Sequence, residues 1–227
     1  MGFALDTVVP WGRSYHEYLA MFGLTEADLT RRILGCGDGP AGFNSELTKR
    51  GGTIVSIDPL YAFDTAQIRN RVAETYDTVM AQLRKHHSAF VWNTISSIEE
   101  LGRVRMLAMN EFLADYANGK SAGRYIVGEL PSLPFESAQF NIALSSHFLF
   151  LYSGHLSAEF HLQALHEMLR VAHEVRVFPL LTLEGVSSPY LNLVAEDLSR
   201  HSYTIEIKRV SYEFQRDGNE MLVIKSS

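Results

Sequence analysis

The sequence predicts an α/β fold: a mostly parallel sheet that ends in an antiparallel hairpin and carries a helical insertion. Three observations predict it. Two short apolar runs, RRILGC and TIVSID, flank a glycine turn and a helix-like segment, which makes one βαβ unit of about 30 residues. The stretch from Asp64 to Lys120 keeps helical character for far longer than a minimal crossover needs. Finally, TIEIKRVSYEF and EMLVIK flank Asp217-Gly218, a strong short-range hairpin signal.

Taken in order, Thr25 and Asp28 stand at capping-box spacing for a short helix. RRILGC is a buried strand that runs into the turn GCGDG. Pro40 suits the first turn of a helix, so GPAGFNSELTKR reads as that helix, with Gly51 and Gly52 ending it. TIVSID is a central strand candidate. Asp64 caps a helix in which Ile68, Val72, Tyr76, Val79 and Leu83 recur at helical spacing, and Ser97 with Glu100 opens a second one. Residues 64–120 therefore read as a helical insertion, either extra packing or a cap over a substrate pocket. RYIVGEL, FNIALSS and EVRVFPLLTL are further strands, and Ser157 caps an amphipathic helix between the last two. A last helix near 190–200 precedes the hairpin, for seven strands in all.

A chain of 227 residues suits one domain, 1–227. With 46% hydrophobic and 20% charged residues it has the composition of a soluble globular protein. The net charge of −6 argues against binding along nucleic-acid backbone. One cysteine, Cys36, excludes an internal disulfide framework and fits a reducing compartment. No basic region followed by an apolar run opens the chain, and no apolar run reaches 18 residues, so the expectation is a cytoplasmic protein without a membrane span.

The turn itself admits two ligands. Gly37, Gly39 and Gly42 have the G-x-G-x-x-G spacing, and with Asp58 they fit an NAD(P)-binding oxidoreductase. That sheet, however, finishes on parallel strands, whereas this one ends in a hairpin. Beside GCGDG and the acidic residue closing VSID, the segment GELPSLPFESAQFNIALSS has an acidic residue, then LPF, a polar gap and a strand. On these motifs the sequence resembles the class I S-adenosylmethionine-dependent methyltransferases, over most of its length. SSHFLFLYS and EMLRVAHEVRVFPL resemble a narrower group of small bacterial methyltransferase-like proteins.

That resemblance implies a Rossmann-like fold, S-adenosylmethionine as cofactor and methyl transfer to a small-molecule acceptor. It implies that Gly35, Cys36, Gly37 and Gly39 pass close beside the methionine and ribose, and that the helix N-terminus following them faces the carboxylate. Asp58 would accept from the ribose hydroxyls. Glu129 and Leu130 would lie near the adenine, with Ser145, Ser146 and His147 at the carboxyl end of the central strand. Tyr15 or Tyr18 would come from a helix folded over the cofactor. Gly42 then serves helix packing. Two positions depart from the family pattern. Ile33 stands where a carboxylate usually precedes the first glycine, with Asp38 either compensating or exposed in the turn. Asn141 replaces an aspartate that opens the next strand. A cofactor-binding protein that transfers nothing is the alternative these departures motivate.

His147 is the candidate general base, since it follows a strand tip and titrates near neutrality. Tyr152 and His155 lie just beyond it and are candidate acceptor-pocket residues. SSHF stands where enzymes that methylate base amino groups carry an Asn/Asp-Pro-Pro-aromatic signature, so the sequence gives no support to a base amino-methyltransferase, and no nucleic-acid partner is expected. No metal site is expected: the step from His161 to His166 turns about 140° off alignment on a helix, and no H-E-x-x-H occurs. Cys36 reads as a small buried residue, and His86-His87 as a solvated helix end.

Overall fold

The structure is a computed structural model that describes residues 9–226. Its seven-stranded sheet comprises β1 (Arg32–Cys36), β2 (Thr53–Ile57), β3 (Tyr125–Ile126), β4 (Phe140–Ser146), β5 (Ala172–Phe178), β6 (Thr204–Arg209) and β7 (Glu220–Lys225). The spatial order is β3-β2-β1-β4-β5-β7-β6. Strands β1 to β5 pair in parallel, and β7 runs antiparallel to both β5 and β6.

Alternation along the central strands fills both faces, as a parallel sheet buried on two sides requires. Ile33, Ile142 and Leu144 pack with α1 (Tyr15–Phe22) and α3 (Phe43–Lys49). Leu34, Cys36, Ala143 and Val175 pack on the other face with α6 (Ala158–Val171) and α7 (Leu191–Arg200). Ser14 caps α1 in a reciprocal box with Glu17, and Thr25 with Asp28 does the same for α2 (Glu26–Leu29). Ser157 caps α6 as expected.

The insertion consists of α4 (Thr65–Lys85) and α5 (Ile98–Ser121), capped by Asp64 and Ser97. Ile68, Val72, Val79 and Leu83 form the buried stripe of α4, while Tyr76 is only half-buried. At the start of α5, Glu100 turns its carboxylate to the Ser96 N–H and hydroxyl, so the expected box with Ser97 is not reciprocal. Helix α5 packs behind the sheet edge through a cluster of Tyr61, Phe112, Tyr116 and Tyr125, and α4 forms part of the wall of a large cavity.

Four boundaries differ from the sequence reading. Helix α3 begins at Phe43, not Pro40, because the Gly42 N–H donates to the Arg13 carbonyl (2.9 Å) and the chain from 39 to 42 follows the N-terminal segment instead. The strand expected over 124–130 pairs only at Tyr125–Ile126. Gly128 then lies against Ile57, and a Glu129–Ser132 bridge closes a turn. Strand β5 stops at Phe178 because Pro179 has no N–H to add to the ladder. The Asp217-Gly218 turn exists, with Asp217 at φ 63°, yet β6 and β7 do not run up to it. The intervening residues leave the sheet so that Tyr212 reaches Glu17 and Phe214 stacks on Phe90.

Candidate functional site

A cavity of about 850 Å³ opens at the carboxyl ends of β1, β2 and β4, where open α/β sheets hold their ligands. Segments remote in sequence meet there: Gly37 to Pro40, Asp58 to Leu60, Gly128 to Leu130, Ser146 to Phe148, and Gln67, Ile68 and Arg71 of α4.

Gly37 and Gly39 have φ of 68° and 53°, conformations that glycine adopts without strain. The Gly37 N–H donates to the Ile57 carbonyl at 2.9 Å, which locks the turn against β2. Asp58 accepts from the Gly39 N–H through Oδ2 and from the Leu60 N–H through Oδ1, each at 2.8 Å. Each oxygen keeps a second lone pair for a ligand. Burial raises the Asp58 pKa, and the two N–H groups oppose that rise. Glu129 is exposed at the rim of the cavity and Leu130 is buried in its wall.

Asp38 is not an exposed turn residue. It is 7% exposed, accepting from the Tyr18 hydroxyl at 2.8 Å and from the Ser56 hydroxyl at 2.6 Å. Its carboxylate fills the space above Gly35, where a Cβ would come within 1.8 Å of Oδ2. Burial pushes its pKa up to about 6, against the two hydroxyl donors and with help from Asp58. Ile33 lies in the apolar layer beside α1 and α3, so Asp38 brings a carboxylate to the turn from its other end. Asn141 accepts from the Arg32 N–H at 3.0 Å, a local tie between β4 and β1.

His147 lines the cavity in the left-handed conformation (φ 52°), uncommon for a residue with a Cβ. Its N–H donates to the Phe178 carbonyl at 2.7 Å, and Nδ1 lies 3.0 Å from the Ser146 hydroxyl. Burial, then the charges of Arg13 and Arg105, hold its pKa well below the usual imidazole value, so the ring is neutral at pH 7.

Several expected contacts are not made. Ser145 alternates to the opposite face of β4 and is fully buried, its hydroxyl without a partner among the described residues. Tyr15 stacks on Phe43 (5.6 Å) under Arg50, away from the cavity; one helical turn on, Tyr18 reaches it. Cys36 is sealed in the core, where burial raises its thiol pKa, and Gly35 is covered by Asp38. The expected helix N-terminus does not face the cavity, since α3 starts late and the Gly42 N–H is already engaged. A Cβ on Gly42 would meet the Ala108 carbonyl of α5 at 3.0 Å, so this glycine serves packing. His155 is exposed outside the cavity, whereas Tyr152 borders a smaller adjoining pocket.

Sequence reasoning missed Trp11 and Arg13, which line the cavity. Gly12 between them explains their placement: a Cβ there would lie 2.0 Å from the Pro40 carbonyl oxygen. The run PWGR has no periodicity that could have shown this. Reasoning on one helix also missed that His166 pairs with Asp197 of α7 at 2.7 Å, with His201 beside them. The ligand atoms of these three come within 4.8 Å of one another at the surface, apart from the cavity. Among the described residues no helix is long and apolar enough to cross a membrane.

No protein-family model matches the chain. An uncharacterized protein of Methanocaldococcus jannaschii, MJ0045, is 33% identical over 221 residues, covering 97% of this chain and 96% of that one. Among solved structures, the PH0226 protein of Pyrococcus horikoshii superposes with a TM-score of 0.51 at 13% identity, over 94% of this chain and 91% of that one. The magnesium protoporphyrin IX methyltransferase of Synechocystis, solved with bound S-adenosylmethionine, gives 0.51 at 9% identity, over 94% and 80%. The likeness to these structures is one of fold, and it agrees with the sheet order and the antiparallel β7 described above. The chain belongs to the family of the M. jannaschii protein, and its fold is like that of the Synechocystis methyltransferase.

Proposed function

We propose that this protein binds S-adenosylmethionine and transfers its methyl group to a small-molecule acceptor in the cytoplasm. One observation carries the reading: the glycine turn, Asp58 and the Glu129-Leu130 turn, far apart in sequence, line a single cavity large enough for a nucleoside and an acceptor together. The residues fit the cofactor. Gly37 and Gly39 let backbone approach it without a Cβ, Asp58 retains lone pairs for a diol, and Asp38 supplies a carboxylate for cationic groups.

When bound, the cofactor supplies an electrophilic methyl group on a sulfonium. The chain's own residues then orient and shield. Asp58 is held by two backbone N–H groups, so it binds without reorganising. Ionised Asp38 favours positive charge beside the turn. Ile68, Phe148 and Leu156 give the cavity apolar wall that excludes water from a displacement needing alignment more than acid–base help. Where the acceptor must lose a proton, neutral His147 is the group placed to take it, oriented through Ser146.

Isothermal titration with S-adenosylhomocysteine tests the binding. A micromolar or tighter complex supports the reading, and binding of a nicotinamide dinucleotide in its place would defeat it. Once an acceptor is found, His147→Gln should lower kcat with little change in KM if the imidazole takes the proton. An unchanged kcat would leave His147 a structural residue.

A further inference from the structure

Arg13 brings a cation to the wall of the cavity without a salt-bridged carboxylate partner among the described residues. Its Nη1 donates to the Trp11 carbonyl at 2.5 Å, and its Nε is shielded from solvent with no partner. The neighbouring cation, Arg105, is neutralised by Glu17 at 2.5 Å. Among the described residues, Glu17 is the carboxylate whose charge reaches both Arg13 and Arg105, so two cations share one anion beside His147. A half-buried guanidinium with a shielded, unused donor is costly to leave so, and its fork matches a carboxylate or phosphate in shape.

The position of Arg13 indicates which molecule supplies that anion. Arg13, Trp11 and His147 border both the large cavity and a second pocket of about 90 Å³. Val79, Leu83, Phe90, Leu151 and Phe214 make that second pocket apolar. Gly37, Gly39, Asp58 and Glu129 line the large cavity alone. The guanidinium thus stands between the space assigned to the cofactor and a small apolar recess.

We propose that Arg13 is the anion-recognition residue of the acceptor subsite: the acceptor is a small anion whose carboxylate or phosphate pairs with Arg13 and whose apolar part enters the recess beyond His147. This rests on the methyltransferase reading, because it takes the Asp58 side of the cavity as filled by the cofactor. The same guanidinium chemistry would serve the cofactor's own carboxylate, and the test separates the two.

Wild-type protein saturated with S-adenosylhomocysteine is titrated calorimetrically with phenylacetate and with its neutral isostere phenylacetamide. Phenylacetate should bind at least about tenfold more tightly, as expected of a charge-assisted bidentate contact. Arg13→Gln should abolish the preference and Arg13→Lys retain part of it, while S-adenosylhomocysteine affinity stays within about threefold of wild type. No preference for the anion in wild type, including no binding of either probe, overturns the proposal. So does a loss of S-adenosylhomocysteine affinity beyond about tenfold in Arg13→Gln, which assigns the guanidinium to the cofactor. Failure of wild type to bind S-adenosylhomocysteine defeats the methyltransferase reading itself, and the acceptor assignment with it. Should Arg13→Gln not fold, the wild-type comparison and Arg13→Lys still decide.

Discussion

The Gly39 N–H donates to Asp58 Oδ2 at 2.8 Å, so one carboxylate ties the end of β2 to the glycine turn that follows β1. Its other oxygen holds the Leu60 N–H at the same distance. Asp58→Ala removes the acceptor from both donors and the proposed acceptor for the ribose. The expected outcome is a loss of more than about 1 kcal/mol in S-adenosylhomocysteine affinity, with a fall of about 1–2 kcal/mol in stability from the orphaned N–H groups. Calorimetry beside urea unfolding separates the two effects. A stability loss with unchanged affinity would reduce Asp58 to a brace for the turn.

Asp38 should make stability fall as pH rises through the mildly acidic range. Its folded pKa, about 6, lies above the ordinary 3.8, so the folded state holds the proton more tightly than the unfolded chain. The protonated form's advantage is complete below about pH 4, declines between about 4 and 6, and is gone above that. The displacement from 3.8 to about 6 corresponds to about 3 kcal/mol. Unfolding free energies of wild type and Asp38→Asn, measured from pH 4 to 7.5, should show their difference shifting against wild type across this window. Parallel curves would mean that Asp38 ionises freely. Cofactor affinity should rise over the same window, because only ionised Asp38 attracts the positive groups of the ligand.

What the sequence displayed and what it hid follow from range. Caps act over three or four residues, so Thr25, Asp64 and Ser157 were legible, as were the strands with continuous apolar runs. Asp58 and Glu129 came from motif resemblance, and both line the cavity. Tyr15 and Tyr18 occupy one short helix, and no local signal says which faces the site; the choice is made by Phe43 and Asp38, met only in the fold. Ser145 failed for a similar reason, since alternation sends neighbours to opposite faces and the register of β4 was unknown. Arg13 was hidden because its place depends on a close approach between Gly12 and Pro40, 28 positions apart by their numbers.

The buried pair Glu17–Arg105 joins α1 to the insertion, and Tyr212 bridges it from the hairpin connection, donating to Glu17 at 3.0 Å. Arg105→Met strands a carboxylate in the interior and should cost about 3–5 kcal/mol, with partial recovery in the double variant that adds Glu17→Gln. Burial pushes the Glu17 carboxyl up, but Arg105, the Ser14 N–H and Arg13 outweigh it and leave the pKa below the ordinary 4.5. The pair's contribution is therefore present above about pH 4.5 and lost as pH falls through the lower folded value. Urea unfolding of wild type at pH 7 and pH 3.5 should show that acid loss, and Arg105→Met should lack it. An equal acid loss in both proteins would place its origin in other carboxylates.

Gly12 tests whether the N-terminal segment shapes the site. A Cβ at this position would stand 2.0 Å from the Pro40 carbonyl oxygen and 2.6 Å from its carbon, both backbone atoms that no rotamer change can move. Gly12→Ala must therefore push apart two stretches of main chain, and with them the hydrogen bond from the Gly42 N–H to the Arg13 carbonyl. Overpacking of this kind is expected to cost about 1–3 kcal/mol of stability. Because Pro40 continues directly from Gly39, the displacement also reaches the glycine turn, and S-adenosylhomocysteine affinity should fall several-fold. Gly154→Ala serves as the control: a Cβ there meets nothing within 4 Å, so it should stay within about 0.5 kcal/mol of wild type. If Gly12→Ala matches that control in both measurements, the segment carrying Trp11 and Arg13 packs more loosely on the turn than its geometry states.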